Sequence, residues 1–256
     1  MNMPTLEQVI PIVLEAGKLL LERRGADHIK EKAASDFVTE LDFAVQNAIC
    51  SQLAEKWPEI QFMGEEKDNS DIDFSRPYWV LDPVDGTTNL IHGFNHSVIS
   101  LALVIDHEPQ FGAICNPYHN ELFTAKKGGG AFLNGQPIHV SAAPSLSQAL
   151  NFVGTAPYRR DRMDENFMRI KRVYLASHDV RRFGCTALEL CYVACGRADG
   201  MFEYGVKPWD IAAGILILSE AGGEAKCVDG GRLPLDRETE IVATNGNFTE
   251  ELRAIL

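Results

Sequence analysis

From Gln61 to Ile138 the chain is written in short apolar runs broken by turn residues, and that cadence leaves few folds open. Strand-like runs cover Gln61–Gly64, Tyr78–Asp82, Val98–Ile105, Gln110–Cys115 and Glu121–Ala125. Asn134-Gly135, between Phe132 and Ile138, is a hairpin signal. Helical periodicity precedes these runs. Thr5-x-x-Gln8 has the form of a capping box, and Leu6, Val9, Ile10, Val13, Leu14, Leu20 and Leu21 then mark one face, with Gly25 as its stop. Leu41, Val45, Ile49 and Leu53 recur every fourth residue in a second helix that Pro58 ends. Beyond about residue 145 the alternation resumes. Strands are expected at Ala149–Val153, Gly200–Tyr204, Glu224–Val228 and Ile241–Thr244, and helices at Arg162–Val173, Thr186–Cys195 and Pro208–Ala221. This is the pattern of an α/β chain in two halves, residues 1–145 and 146–256, joined near Ser141–Ser147 in one compact unit.

The formal net charge is −12, and the basic pairs Arg23-Arg24, Lys126-Lys127, Arg159-Arg160 and Arg181-Arg182 are short and scattered. Phosphate backbones need clustered Lys and Arg, so no direct nucleic-acid partner is expected. The longest apolar run, around Ile99–Ile105, is too short to span a bilayer, and the N-terminus lacks a basic leader region. The six cysteines include no CxxC. Cys191 and Cys195 are spaced i, i+4 but have no partner set for zinc, so they are expected as small buried hydrophobes. A reduced, cytoplasmic protein with no membrane partner is expected.

Carboxylates dominate the chemistry. Tyr78–Asp82 is an apolar run ending in an aspartate, the place where α/β sheets hold their ligands. Pro83 lacks an N–H and should turn the chain, letting Asp82 and Asp85 converge. Gly86-Thr87-Thr88 then offers outward amides at a potential helix start, an anion site. Carboxylates beside such amides suit a phosphate bridged to Mg²⁺, since hard oxygen ligands select that ion. The competing local reading is an Asx-turn with capping threonines. Glu65-Glu66, after a strand and Gly64, repel each other unless a cation offsets them, or else form a polar loop. Asp36 and Asp42 flank a helix start at Thr39, and Asp210 opens the helix after Trp209, where a lone Asp also favours the helix dipole. His92 and His96 follow the motif but have no third ligand and are expected as loop or core residues.

Together these residues resemble the inositol monophosphatase family, within the lithium-sensitive, magnesium-dependent phosphatase superfamily. "GEE" at Gly64–Glu66, "DPVDGTTN" at Asp82–Asn89 and "WDIAAG" at Trp209–Gly214 stand in the family's order and approximate spacing, with "DFVTELD" at Asp36–Asp42 and "GRADGMFE" at Gly196–Glu203 as further matches. The likeness covers essentially the whole chain. It implies an αβαβα sandwich of the inositol monophosphatase and fructose-1,6-bisphosphatase type, usually a homodimer. The N-terminal half would carry most metal ligands and the C-terminal half would close the site.

The resemblance also implies roles. Glu66, Asp82 and the Val84 carbonyl match a first metal site. Asp82, Asp85 and Asp210 match a second, with Asp82 bridging. Glu66 would touch a third, weaker ion, so two or three Mg²⁺ are implied. Lys32 matches a lysine near that ion, although the loop from Lys30 to Ser35 leaves Lys30 as the alternative. Asp42 with Thr87 matches the pair that activates water, so Asp42, Glu66 and Thr87 are the expected catalytic group. Gly86 and Thr87 amides would hold the phosphate. Asp85, Ala187, Glu203 and Asp210 would meet the substrate's hydroxyls. Phosphoryl transfer needs charge neutralisation and an in-line water, so no Cys or His nucleophile is required. Thr88-Asn89 follows the pattern usual for inositol 1-phosphate phosphatases. Other small phosphates remain open as substrates, fructose 1,6-bisphosphate and histidinol phosphate among them. So does a scaffold role toward a regulatory protein partner, which the complete set of matched acidic and hydroxyl residues disfavours as the sole function.

Overall fold

The computed structural model describes residues 3–33 and 36–256. Its first helix, α1 (Leu6–Glu22), begins with the expected capping box, the Thr5 amide donating to Gln8 Oε1 at 3.0 Å. It ends at Arg23, which takes the left-handed conformation (φ 55°) two residues before the expected Gly25 stop. The buried stripe is Leu6, Val9, Ile12, Val13, Ala16 and Leu20. Leu14 and Leu21 were expected on that face but are 43% and 53% exposed, because each is one residue, about 100° of rotation, beyond a buried position. A hairpin of β1 (Ile29–Ala33) and β2 (Asp36–Thr39) follows. It stands within the stretch from Lys30 to Ser35 that was expected as a loop, and residues 34 and 35 lie outside the described residues. Helix α2 (Glu40–Lys56) is capped by Thr39 and buries Leu41, Val45, Ile49 and Leu53 as their spacing predicts.

The N-terminal half forms a seven-stranded sheet of β3 (Gln61–Gly64), β4 (Tyr78–Asp85), β5 (Val98–Ile105), β6 (Glu108–Asn116), β7 (Glu121–Lys126), β8 (Ala131–Leu133) and β9 (Gln136–Pro137), in that spatial order. Only β3 and β4 pair in parallel. Between β4 and β5 lies a short helix, α3 (Thr87–Ile91). The C-terminal half runs β10 (Leu150–Val153), α4 (Met163–Ala176), β11 (Asp179–Arg181), α5 (Thr186–Ala194), β12 (Gly200–Val206), α6 (Pro208–Glu220), β13 (Glu224–Lys226), β14 (Thr239–Thr244) and α7 (Thr249–Ala254). Its strands make a five-stranded sheet in the order β11-β10-β12-β14-β13.

Side-chain alternation explains how the layers stack. Trp79 and Leu81 of β4, with Ile99, Leu101 and Leu103 of β5, face α1 and α2. Tyr78 and Val80, with Val98, Ala102 and Val104, face the other way into a core shared with α5 and α6. Met201, Ile241 and Ala243 of the second sheet close that core from below. Phe202 and Val242, one residue out of phase, point to the outer layer with Val173 of α4 and Leu252 of α7. The result is helix, sheet, helix, sheet, helix. Gly112 lets α6 lie against the large sheet, since a Cβ there would come within 2.9 Å of the Ala213 Cα.

One local expectation needs correction. Pro83 does not turn the chain away from the sheet. Strand β4 runs on to Asp85 through a bulge: Asp82 pairs with Ser100 and Asp85 with Val98, three steps on one strand against two on the other. Pro83 has no N–H for the ladder, and the Val84 amide donates instead to Asp82 Oδ1 at 2.9 Å.

Candidate active site

The bulge aims Asp82 and Asp85 into a cavity of about 140 Å³ between the two halves. Its walls include Glu65 from the end of β3, Asp82, Val84 and Asp85 from β4, Gly86 and Thr87 at the start of α3, Glu203 from β12 and Asp210 from α6. Gly86 precedes α3 with φ 91°, a conformation open to glycine, and a Cβ there would come within 2.8 Å of the His96 carbonyl oxygen.

Each carboxylate is oriented by a donor from the protein. Asp82 accepts from Val84, as above. Asp85 Oδ2 accepts from the Ala187 amide at 2.6 Å and the Cys185 thiol at 3.3 Å. Asp210 Oδ2 accepts from the Lys207 amide at 2.7 Å, capping α6. Glu203 Oε2 accepts from the Thr186 hydroxyl at 2.6 Å. In Asp82 and Asp210 the second carboxylate oxygen has no hydrogen-bond partner among the described residues.

Burial pushes all of these groups toward the protonated form, and neighbouring carboxylates add to it at Glu65, Asp82, Glu203 and Asp210. Burial carries Glu65 up to about 7, Asp85 to about 6 and Glu203 to about 7. Asp82 and Asp210 are driven well above the usual carboxylate range, by burial first and then by the charges of Glu65 and Asp85. Such a cluster is unfavourable unless cations offset it. As they stand, the described His, Cys, Asp and Glu side chains form no group of three that could hold a metal ion. The donor set nevertheless fits a hard divalent cation: the wall offers carboxylate, carbonyl and hydroxyl oxygens and neither a histidine nor a thiol.

Asp42 lies behind the wall. It is fully buried at the start of α2, where Oδ2 accepts from the Thr39 amide at 2.9 Å and the Thr39 hydroxyl at 2.5 Å. Its Oδ1 stands 3.2 Å from the Thr87 hydroxyl, which also reaches the Val84 carbonyl at 3.1 Å. Burial raises the Asp42 pKa against the pull of the Thr39 and Thr87 hydrogen bonds. Thr87 does not cap a helix: α3 begins at Thr87 with Gly86 in the cap position.

Of the expected residues, Glu66 and Ala187 are not among those that line the cavity. Glu65, rather than Glu66, forms the cavity wall. Both glutamates lie in the turn after β3, and Gln46 holds the backbone of Glu66: its amide donates to Gln46 Oε1 at 3.0 Å and its carbonyl accepts from Gln46 Nε2 at 3.1 Å. The Lys32 ammonium lies 2.9 Å from Glu65 Oε1 and 2.8 Å from Glu66 Oε1, so Lys32 rather than Lys30 sits at the glutamate pair. Burial pulls the Lys32 pKa down, and the two glutamates outweigh it, leaving a net rise. Ala187 is fully buried and gives the site only its amide, while Thr186 is the residue on the wall. The cavity also shows Arg182, Pro157 and Tyr158, none of which carried a signal in the sequence.

The inositol monophosphatase family model matches residues 2–256. An inositol monophosphatase of Dictyostelium discoideum is 36% identical over 257 residues, 98% of this chain and 94% of that one. The Nus factor SuhB of Xylella fastidiosa is 37% identical, covering 87% of this chain and 82% of its own. Among solved structures, a Thermotoga maritima IMPase superposes with a TM-score of 0.88 at 32% identity, covering 98% of this chain and 95% of that one. With the acidic cavity placed where two sheets and their helices meet, and with that likeness running from end to end, this chain belongs to the inositol monophosphatase family.

Proposed function

We propose that the chain is a magnesium-dependent phosphate monoester hydrolase whose foremost substrate is inositol 1-phosphate. The observation that carries this reading is the all-oxygen wall of Glu65, Asp82, Asp85 and Asp210 beside the first amides of α3. Asp82, Val84 and Glu65 would hold one ion, and Asp82, Asp85 and Asp210 a second. Glu65 and its neighbour Lys32 would border a weaker third. Bound there, magnesium supplies charge neutralisation and lowers the pKa of a bound water.

The chain's own groups do the rest. The Thr87 hydroxyl holds the attacking water and passes its proton to Asp42 Oδ1. The Gly86 and Thr87 amides, at a helix start with no intrahelical acceptor, hold the phosphate oxygens. Asp85, Glu203 and Asp210 accept the hydroxyls of the polyol, with Thr186 in the place expected for Ala187. Cys185 is a poor nucleophile, because burial pushes its thiol well up. Thr88-Asn89 and the short segment from Asp68 to Pro77 favour a small polyol over a nucleotide.

The test is phosphate release by protein stripped with EDTA and reloaded with Mg²⁺. The panel is inositol 1-phosphate, fructose 1,6-bisphosphate, histidinol phosphate, adenosine bisphosphate and p-nitrophenyl phosphate, ranked by kcat/KM. Absence of metal-dependent release from every compound sinks the phosphatase reading. A second reading, a scaffold for a regulatory protein, is favoured by the likeness to a protein named Nus factor SuhB. That same absence would favour it. A homodimer is supported by α4, whose exposed side shows Met163, Phe167, Met168, Tyr174 and Leu175. A reduced, cytoplasmic setting is supported by six cysteines that are all free, and no helix among the described residues is long and apolar enough to cross a membrane.

A further inference from the structure

Arg182 alone is basic among the described residues that line the cavity. It makes no hydrogen bond or ion pair with any described residue, whereas its neighbour Arg181 is paired with Asp179. The other cations nearby are engaged: Arg159 and Lys207 with Glu238, Lys32 with the glutamate pair. The charge of Arg182 acts on Asp85 and Glu203, lowering the pKa of each against the larger effect of burial. Asp85 and Glu203 are two of the groups expected to meet the substrate's hydroxyls, and Arg182 shares the cavity wall with them.

The turn that carries Arg182 is held from both sides. Glu189, 1% exposed, accepts from the Phe183 and Gly184 amides at 2.8 and 3.0 Å. Asn89, also buried, donates to the Phe183 carbonyl at 2.8 Å and lies 3.3 Å from that of Gly184. Gly184 has φ +74°, and a Cβ there would fall 2.4 Å from one guanidinium nitrogen and 2.7 Å from Cζ of Arg182. The missing side chain is the space the guanidinium occupies. Two buried side chains and one glycine thus hold a fork of donors at the cavity wall with no acceptor in the protein. A planar guanidinium matches carboxylate and phosphate bidentately.

We propose that Arg182 is a specificity residue that grips a second anionic group on a substrate, so that, beside inositol 1-phosphate, the site takes phosphate monoesters carrying a further phosphoryl or carboxyl group on the leaving side in preference to their counterparts without it. The proposal rests on the phosphatase reading, which p-nitrophenyl phosphate hydrolysis by the parent protein tests separately.

The measurement is a ratio of kcat/KM values within matched pairs: fructose 1,6-bisphosphate against fructose 1-phosphate, and glucuronic acid 1-phosphate against glucose 1-phosphate. Hydrogen bonds from a charged donor set the scale at about 10- to 100-fold. In Arg182→Ala the ratio of at least one pair should fall fivefold or more, and the pair that falls further names the anion. Arg182→Lys keeps the charge and loses the fork, so its ratio should lie between those of the parent and Arg182→Ala. Smaller falls than fivefold in both pairs, with p-nitrophenyl phosphate still hydrolysed by the parent, overturn the proposal and leave the phosphatase reading standing. A lower ratio in Arg182→Lys than in Arg182→Ala overturns it too.

Discussion

Thr87 has one hydroxyl proton and two acceptors within reach, Asp42 Oδ1 at 3.2 Å and the Val84 carbonyl at 3.1 Å. Donating to Asp42 leaves its lone pairs free to accept from a water in the cavity, the geometry of a proton relay. If it acts so, Thr87→Ala lowers kcat by about 10²–10⁴-fold while changing KM little, and Thr87→Ser keeps much of the rate. Asp42→Asn should lose a similar amount, and the double variant far less than the product of the two losses. Near-normal kcat in Thr87→Ala would remove the pair from the mechanism. The adjacent glutamates offer a second test at this scale. Glu65→Gln is expected to raise the Mg²⁺ concentration for half-maximal activity at least tenfold, because a hard cation loses a charged ligand on the cavity wall. Glu66→Gln, at the glutamate outside the cavity lining, should raise it far less. The reverse order in a metal titration would return the ligand role to Glu66. Here the sequence names both glutamates without deciding which one meets a cation. Two neighbouring glutamates after a strand look alike, and in the fold both reach the Lys32 ammonium while Gln46, 20 positions before Glu66, holds the backbone of Glu66.

Helix α2 shows how an element's end can serve the site. Thr39 caps it by accepting from the Leu41 amide at 3.2 Å, and the same hydroxyl donates to Asp42 Oδ2. The capping box therefore fixes the rotamer of the expected base. Thr39→Ala should cost about 1 kcal/mol, which lowers the melting temperature by about 2–4 °C. It should also reduce kcat, though by less than Thr87→Ala, since the Thr39 amide still holds Asp42. A stability loss with kcat intact would make the cap purely structural. The helices were legible because caps, period and stop signals agree over many residues, as with Thr39, Leu41, Val45, Ile49 and Pro58. The hairpin β1–β2 was not, because a two-stranded ribbon beside the site carries no apolar alternation of its own. Nor was the bulge in β4: Pro83 announces a missing donor, but whether the chain leaves the sheet or slips by one residue depends on β5 lying alongside. Arg182 went unnoticed for a related reason. An arginine in a basic pair reads as a solvated surface until the fold brings its turn against Asp85 and Glu203.

At the scale of the molecule, Gln136–Pro137 is the last strand of one sheet and Leu150–Val153 the first strand of the other. The cavity sits where the halves meet, so its carboxylates are buried by both and their repulsion bears on the stability of the whole. Without metal, the folded state raises Asp85 to about 6 and Glu65 and Glu203 to about 7, chiefly through burial. The unfolded chain releases these protons near pH 4. Between about pH 4 and 7 the folded state therefore binds more protons than the unfolded one, and stability falls as pH rises. Magnesium reverses the sign for this cluster by favouring the ionised form, and its affinity grows as the carboxylates deprotonate. The general repulsion of a chain with net charge −12 also weakens the fold at higher pH, so the informative quantity is the difference that metal makes. Melting is to be followed at pH 5.5 and pH 8, in EDTA and in excess Mg²⁺. The rise in melting temperature on adding Mg²⁺ should be about 5 °C or more at pH 8 and clearly smaller at pH 5.5. Glu203→Gln, which removes one buried charge without touching the ligand set, should raise the EDTA curve at pH 8 and narrow its distance from the pH 5.5 curve. An equal or larger magnesium effect at pH 5.5 would mean that these carboxylates are not what the cation neutralises.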